Sequence, residues 1–235
     1  MGTAEERAPK IVAMGAVVSS SGGKDSLLAL TRAREAGVDV TTMLTMFDEG
    51  ADRSRSHGVS RAIVEQQARA LGLRFVGPSA SWADYERVFI DALGVLRAAG
   101  CETAVFGDID LQPHRDWEEK VCDAVGLRAF LPLWGEDRVA LARESLTSGF
   151  RAIVVCVDSR FLDDSWAGRP FDEQFIAELP AGVDPCGENG EFHTFVTDGP
   201  GFSSPVDVQV AVTEVYVSPP EVGSQRYCFA RLERR

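Results

Sequence analysis

The segment Ser21–Ser26, which reads Ser-Gly-Gly-Lys-Asp-Ser, combines the residue types that bind phosphate. It follows a run rich in Val and Ile and precedes apolar residues at helical spacing. Glycines let backbone N–H groups approach an anion, and a helix start adds free N–H groups and a positive dipole end. The serine hydroxyls can donate to phosphate oxygens, and Lys24 can neutralise their charge. Asp25 is suited either to order the loop or to bind a Mg²⁺ ion on a leaving pyrophosphate.

Two other phosphate loops are excluded by their spacing. A Walker A loop requires Ser or Thr after its lysine, whereas Asp25 follows Lys24. A GxGxxG dinucleotide fingerprint is also missing, because Ala16 and Val17 follow Gly15. The remaining alternative, a glycine-rich turn without a ligand, is disfavoured by the order of strand, serine-rich loop and helix.

The elements around this loop alternate in the first half of the chain. The predicted strands are 11–18, 38–46, 73–76 and 103–106, and the predicted helices are one between Ser26 and Gly37, 59–71 and 82–99. This alternation predicts an α/β fold, a parallel sheet with helices on both faces, whose ligands bind beyond the carboxyl ends of the strands. Gly107 and Asp108 follow the fourth strand, so we expect them to lie beside Ser21–Ser26, which we call the phosphate loop.

The second half of the chain has a different pattern. A helix over 136–148 and a strand over 151–157 are followed by the short predicted strands 192–197, 206–217 and 227–232. Residues 206–217 alternate Val with polar residues, which predicts a half-exposed antiparallel strand. We therefore predict two domains: residues 1–130, which carry the phosphate loop, and residues 131–235, a smaller α+β region.

Charge and composition exclude several classes of function. The net charge of −12 disfavours nucleic acid as a partner, because binding to phosphate backbones requires clustered Lys and Arg. The five cysteines include no CxxC pair, so neither a zinc nor an iron–sulfur site is predicted. Met1–Lys10 is polar and unlike a signal peptide, and no apolar stretch is long enough to span a membrane. We expect a cytoplasmic protein with no membrane association.

Ser21–Ser26 resembles the SGGxDS motif of the PP-loop ATP pyrophosphatases, which adenylate their substrates and release pyrophosphate. Further segments, in the same order, are similar to the diphthine–ammonia ligase (diphthamide synthase) family over about Lys10 to Phe202. These segments are His57-Gly58 with Gln66-Gln67-Ala68 and Leu71-Gly72, Gly107-Asp108-Ile109 with Arg115, Trp117, Glu118 and Pro132-Leu133-Trp134, and Asp184–Val196 with Asp198 and Pro200.

The resemblance implies an HUP-like (adenine nucleotide α-hydrolase-like) fold and an ATP-dependent, AMP-forming ligase of the acid–ammonia type. In that family ATP adenylates the carboxylate of diphthine, and ammonia then displaces AMP to form the amide. ATP and Mg²⁺ are the implied cofactors, and a carboxylate acceptor and ammonium are the implied partners. No glutaminase segment is visible, which favours free ammonium as the nitrogen source.

The resemblance also implies roles for individual residues. The catalytic set is Lys24, Asp25, Asp108 and Arg115, with Asp25 and Asp108 as Mg²⁺ ligands; the ATP-binding set is Ser21, Gly22, Gly23, Lys24, Asp25, Ser26, Met46, His57 and Gly107; the substrate-binding set is Glu188, Glu191, His193 and Thr194. Simpler roles stay open for some of them. Asp108 would also suit a helix cap, Arg115 a solvated helix position, His57 a helix start and His193 a hydrogen-bonded core position.

One position departs from the family pattern. Diphthamide-forming members carry Glu-Gly-Gly-Glu-Tyr-Glu-Thr where this chain has Glu188–Thr194, so His193 replaces a carboxylate. The composition, rich in Ala, Arg and Asp, is typical of a bacterial chain, and bacteria do not make diphthamide. We therefore expect the ATP chemistry to carry over, and the acceptor stays open between diphthine and another carboxylate.

Two other functions and one assembly are also considered. A PP-loop tRNA-modifying enzyme would require a basic surface and, for thiolation, usually catalytic cysteines. A non-catalytic ATP-binding module would be favoured by loss of loop residues, yet Ser21–Ser26 is complete. The C-terminal strands provide a possible surface for a homodimer.

Overall fold

The computed structural model describes residues 15–50, 52–218 and 223–235, so residues 11–14 of the strand predicted over 11–18 lie outside the described residues. The elements are β1 (Ala16–Ser19), α1 (Lys24–Glu35), β2 (Val40–Leu44), β3 (Phe47–Asp48), α2 (Arg61–Ala70), β4 (Arg74–Val76), β5 (Ser79–Ala80), α3 (Tyr85–Ala98), β6 (Thr103–Val105), α4 (Gln112–Asp123), β7 (Arg128–Phe130), α5 (Arg138–Thr147), β8 (Arg151–Asp158), a 3₁₀ turn (Asp164–Trp166), β9 (Pro170–Phe171), α6 (Glu173–Glu178), β10 (Phe192–Asp198), β11 (Val208–Val217) and β12 (Arg226–Arg234). Within the described ranges, no helix has the length and apolarity needed to cross a bilayer.

The first sheet is parallel and has the strand order β4-β2-β1-β6-β7. Successive side chains of a strand point to opposite faces, so β1 contributes to two separate cores. Val18 belongs to the core formed with α1 and α2, whereas Val17 belongs to the core formed with α3 and α4. The predicted parallel sheet with helices on both faces is confirmed.

Helix α4 was not among the predicted elements, although it packs against this sheet. It begins with Pro113 in its first turn and buries Glu118, Val121 and Cys122. Trp117, Val121 and Cys122 all pack into the second core, but charged residues flank them and they make too short an apolar stripe for sequence periodicity to detect. The helix nevertheless positions Glu118 near the carboxyl ends of the parallel strands.

The second sheet is antiparallel, with the strand order β10-β8-β12-β11 and β9 paired to β8. Phe195 and Val196 of β10 share one core with Leu27 and Leu28 of α1. This packing is the reason that the segment leading into β10, residues 184–191, lies against the start of α1. Two distant parts of the chain therefore meet at the phosphate loop.

Strand β11 differs from its prediction. A half-exposed strand was expected, but beyond the buried Val208 residues 209–217 are exposed on both faces. Strand β11 pairs with β12 along its length, and β12 pairs with β8 through Tyr227–Phe229, so β11 is the outermost strand of this sheet path. Among the described residues no element covers 209–217, so the alternation of Val with polar residues does not separate a buried face from an exposed one.

Candidate active site

Two adjoining cavities lie beyond the carboxyl ends of β1, β2 and β6. The larger, of about 580 Å³, is lined by Ser19, Ser20, Ser21, Leu44, Met46, Arg55, Ser56, His57, Trp82, Tyr85, Phe106, Asp108, Pro113, His114, Trp117, Glu118 and His193. The smaller, of about 260 Å³, is lined by Ser19, Ser20, Ser21, Gly23, Lys24, Asp25, Ser26, His57, Gly107, Asp108, His114, Cys186, Gly187, Glu188, Phe192, His193 and Thr194. Because they share the serine run, Asp108 and the three histidines His57, His114 and His193, we treat them as one cleft.

The phosphate loop is held in place by β10 and α2. The Gly22 carbonyl accepts hydrogen bonds from the Val196 amide at 2.9 Å and from Nε2 of Gln67 at 3.1 Å. The φ of Gly22 is +87°, and a Cβ atom there would lie 2.6 Å from the Phe195 ring. Gly22 therefore serves the conformation of the loop and does not line either cavity.

Gly107 allows the end of β6 to touch the beginning of α1. A Cβ atom at Gly107 would lie 2.7 Å from the backbone nitrogen of Ser26 and 2.8 Å from the carbonyl carbon of Asp25. Backbone atoms of a helix cannot move aside as a flexible side chain can. The contact fixes the distance between Asp108 and the first turn of α1.

Lys24 is a buried cation at the first position of α1. Its Nζ donates to Oδ2 of Asp25 at 2.8 Å and to the backbone carbonyl of Cys186. Its backbone N–H donates to Oγ1 of Thr194 at 3.1 Å, so both ends of the residue are bonded. The first turn of a helix has N–H groups without intrahelical acceptors. The ammonium group and this helix end together favour an anion in the smaller cavity.

Asp25 faces the smaller cavity with one oxygen already used and one without a partner. Its Oδ2 accepts from Lys24, whereas Oδ1 is buried and has no hydrogen-bond partner in the described structure. Burial raises the pKa of this carboxyl, and the Lys24 ammonium opposes that rise. A buried, unpaired carboxylate oxygen is costly unless a ligand or a metal ion completes it.

Asp25 and Asp108 are suited to hold Mg²⁺ jointly with phosphate oxygens and water. Within the described part of the chain, no three His, Cys, Asp or Glu side chains are grouped as a complete metal site. Mg²⁺ commonly takes only one or two protein carboxylates and keeps water and phosphate oxygens as its other ligands. The two aspartates line the same cavity, and the unpaired Oδ1 of Asp25 provides a free ligand atom.

Asp108 is the centre of a hydrogen-bonded chain of three side chains. His114 Nδ1 lies 2.7 Å from Oδ1 of Asp108, and Glu118 also bonds the Asp108 carboxylate. Burial, followed by the bond to Asp108, raises the pKa of Glu118 to about 11, so Glu118 is protonated and donates. Burial alone would raise the pKa of Asp108, but the bonds from its two neighbours lower it overall. The cleft therefore holds Asp108 as a carboxylate beside a neutral acid.

Two carboxylates order the segment 184–191, and a third one faces the cavity. Asp184 accepts from the backbone N–H groups of Cys186 and Glu188, both at 2.9 Å, and Glu191 accepts from both nitrogens of Asn189 at 2.9–3.0 Å. Glu188 lines the smaller cavity and accepts from the Ile109 amide at 2.9 Å. Burial raises its pKa to about 7.

His57 and His193 form a ring pair, tilted by 34°, in the wall that the two cavities share. Their ring centroids are 4.6 Å apart, and Nδ1 of His57 is buried without a hydrogen-bond partner in the described residues. Burial lowers the pKa of His57 well below its ordinary value and that of His193 to about 4. Both rings are therefore neutral near pH 7 and can bond to a ligand without adding charge.

The larger cavity has an aromatic wall that the sequence did not indicate. The guanidinium of Arg55 lies 4.4 Å from the centre of the Trp82 ring and 5.4 Å from that of Tyr85, and Tyr85 packs against Trp117. The pairing of β3 with β5 brings the loop of Arg55 to the residues before α3. Trp82 is 72% exposed, and because exposure is a property of the fold, no local sequence signal marks this ring.

Most of the residues proposed from the sequence meet in this cleft. Those that line it are Ser21, Gly23, Lys24, Asp25, Ser26, Met46, His57, Gly107, Asp108, Glu188, His193 and Thr194. Three do not. Gly22 and Glu191 support the two loops, and Arg115 pairs with Glu119 at 2.7 Å and lies over the Trp134 ring. Ser20, which the sequence analysis did not single out, bonds Ser26 through the two hydroxyl oxygens at 2.6 Å.

Comparison with known proteins gives matches along both halves of the chain. The models of the diphthamide synthase N-terminal and C-terminal domains match residues 14–129 and 137–218. Diphthine–ammonia ligase of Bos taurus is 36% identical over 95 residues, 38% of this chain and 36% of the bovine protein. That of Homo sapiens is 35% identical over the same shares, and that of Danio rerio 33% identical over 42% of this chain and 40% of the fish protein.

The matched segments thus span less than half the length of these curated relatives. Among solved structures, one described as a predicted subunit of a tRNA methyltransferase from Methanocaldococcus jannaschii is 16% identical, with a TM-score of 0.43, over 78% of this chain and 97% of that one. The two domain models together cover most of the sequence. The chain therefore belongs to the diphthamide synthase family.

Proposed function

We propose that the chain is an ATP-dependent ligase that adenylates a carboxylate, releases pyrophosphate and forms an amide with ammonia. The observation that carries this proposal is the pairing of buried Lys24 with Asp25, whose second oxygen is unpartnered, at the first turn of α1. The names of the relatives, diphthine–ammonia ligases, support the same reaction class.

The first step needs charge stabilisation at the phosphates. A carboxylate oxygen of the acceptor attacks the α-phosphorus of ATP, and the bond to the bridging oxygen breaks so that pyrophosphate leaves with the electron pair. Lys24 and the N–H groups at the start of α1 stabilise the charge that develops on the leaving oxygens. Mg²⁺, held by Asp25 and Asp108, would supply further neutralisation of the pyrophosphate.

The second step needs neutral ammonia near the acyl carbon. Its lone pair forms the C–N bond, the bond from the acyl carbon to the phosphate oxygen breaks, AMP leaves, and the nitrogen loses a proton. Glu188 is suited to bind ammonium and accept a proton, because its pKa of about 7 keeps a carboxylate available near neutrality. The neutral pair His57 and His193 adds hydrogen bonds without a charge that would repel ammonium.

The acceptor is a carboxylate whose body fits the larger cavity. This cavity contains the flat rings of Trp82 and Tyr85 and the guanidinium of Arg55. The adenine base of ATP requires a similar surface. His193 stands where diphthamide-forming relatives have a carboxylate, so we propose that the acceptor is either diphthine-like or a small carboxylate.

The test is product analysis with α- and γ-labelled ATP, Mg²⁺, ammonium and a panel of carboxylates. We expect AMP and pyrophosphate, lost in Asp25→Ala and Ser26→Ala and retained in Asp91→Ala, whose aspartate is exposed on α3. ADP with phosphate would contradict the proposal. ATP–pyrophosphate exchange distinguishes an adenylating enzyme from an ATP-binding module, and a tRNA panel under the same conditions tests the alternative acceptor class.

A further inference from the structure

The free edge of β11 is an apolar surface outside the cleft. The strand pairs with β12 on one side, and the sheet path ends there within the described residues. Its exposed large apolar residues are Val210, Val212, Val215, Tyr216 and Val217, each between 36% and 56% exposed. An unpaired edge also presents a row of backbone N–H and C=O groups that can bind another strand.

This edge lacks most of the features that keep sheet edges apart. Monomeric proteins protect edge strands with Lys or Pro, by short length, by covering elements and by bulges. Strand β11 is ten residues long, has no Lys, Arg or Pro, and carries one charge, Glu214. That carboxylate is already paired with Arg231 of β12 at 2.6 Å. A single register shift between Val210 and Val212 is the one protective feature that it has.

We propose that this edge pairs antiparallel with β11 of a second copy of the chain, joining the two antiparallel sheets into one. In such a two-fold pair, residues directly opposite each other share a face, so the two-fold axis passes between the two copies of one residue. A dyad at Thr213 or at Val215 places Glu214 opposite Val212 or Tyr216 of the second copy. The like charges are then never opposed, and the strand is complementary to itself.

The charge of the chain favours this edge over other surfaces for self-association. Each copy carries a net charge of −12, and like charges repel when two copies approach. Over its exposed length β11 contributes a single, paired charge, so the repulsion between two copies of this edge is small while exposed apolar side chains become buried. Val215 and Val217 lie on one face of the strand and, with their copies, form a continuous apolar stripe.

A single strand pair is at the small end of interface sizes, so we expect a dissociation constant of about 1–100 μM. Light scattering coupled to size exclusion, on the full chain from about 1 to 300 μM, tests this. The mass is expected to rise from 25.5 kDa toward twice that value. The double variant Val215→Lys, Val217→Lys is expected to stay monomeric, and Val95→Lys, at a position 72% exposed on α3, is the matched control that still dimerises.

Backbone hydrogen exchange gives a readout that needs no variant. Amides of β11 that face away from β12 are expected to be protected at high concentration and to exchange about threefold to tenfold faster on dilution. A monomer at every concentration would overturn the proposal and leave a lipid surface or another protein as the occupant. A dimer that persists in the double-lysine variant, with exchange in β11 independent of concentration, would overturn it in favour of another surface. ATP turnover is a separate measurement, so failure of the proposed ligase activity leaves this test intact.

Discussion

The two cavities of the cleft share a border but differ in how they are built. The smaller one is lined by ionisable groups, Lys24, Asp25, Asp108 and Glu188, held by glycine contacts and backbone hydrogen bonds. The larger one shares Asp108 with it but adds the flat rings of Trp82, Tyr85 and Trp117, and Trp82 is 72% exposed. Charges held rigidly can stabilise a transition state, whereas an open aromatic wall provides binding surface. From this difference we propose that the chemistry takes place in the smaller cavity and that the larger one binds the bodies of the substrates.

Removing the buried cation is expected to have the largest effect. Lys24→Met keeps the length of the side chain and removes the charge, so the pyrophosphate leaving group loses its stabilisation, and we expect about a thousandfold lower kcat. Pyrophosphate release under saturating ATP measures it. The control is Lys120→Met, because Lys120 is exposed on α4 and paired with Glu86. An effect below tenfold would place the chemistry outside the smaller cavity.

The second-largest effect is expected from a methyl group placed where β6 touches α1. Gly107→Ala puts a methyl group 2.7 Å from the Ser26 backbone nitrogen, so the loop must shift, and we expect about a hundredfold loss of kcat/KM for ATP. Thermal unfolding shows whether the chain still folds. Gly94→Ala in α3, where the nearest atom would be at 3.7 Å, is the control and is expected to be neutral or stabilising. Equal losses of kcat/KM in both variants would contradict the role given to the close approach between Gly107 and α1.

The third test uses the ionisation of Glu188. Its pKa of about 7 means that the carboxylate forms as the pH rises through 7, so activity with ammonium is expected to increase over that interval. Glu188→Gln should lose about tenfold in rate at pH 8 and lose this rise, while ATP–pyrophosphate exchange is retained. Glu119→Gln, an exposed position paired with Arg115, should keep the wild-type profile. If Glu188→Gln also abolishes exchange, the residue acts in the first step instead.

The smallest effect is expected in the larger cavity. Trp82→Ala removes an exposed wall ring, and we expect KM for ATP or the acceptor to rise about threefold to tenfold with kcat nearly unchanged. Steady-state kinetics with each substrate varied in turn distinguishes the effect on KM for ATP from the effect on KM for the acceptor. Phe161→Ala, which removes another exposed ring next to Arg160, is the control. A fall in kcat comparable to that of Lys24→Met would break the division between the two cavities.

The sequence by itself determined the features that are local. The residue types of Ser21–Ser26 predict a phosphate-binding loop, because its glycines, serines and lysine are adjacent in sequence. The alternation of predicted strands and helices along the first half of the chain predicts the parallel sheet. The meeting of that loop with Gly107 also followed, because the carboxyl ends of neighbouring parallel strands lie at one edge. The family resemblance added the segment that contains Glu188 and His193.

Only the tertiary structure decided which side chains meet across long separations. Lys24 bonds the Cys186 carbonyl because β10 packs against α1, and His57 lies beside His193 of the same strand. No local pattern encodes either contact. The structure likewise assigns Glu191 to loop support and Arg115 to a pair with Glu119. The proton of Glu118 and the pKa of Glu188 follow from burial, which depends on the whole fold and not on the residue type.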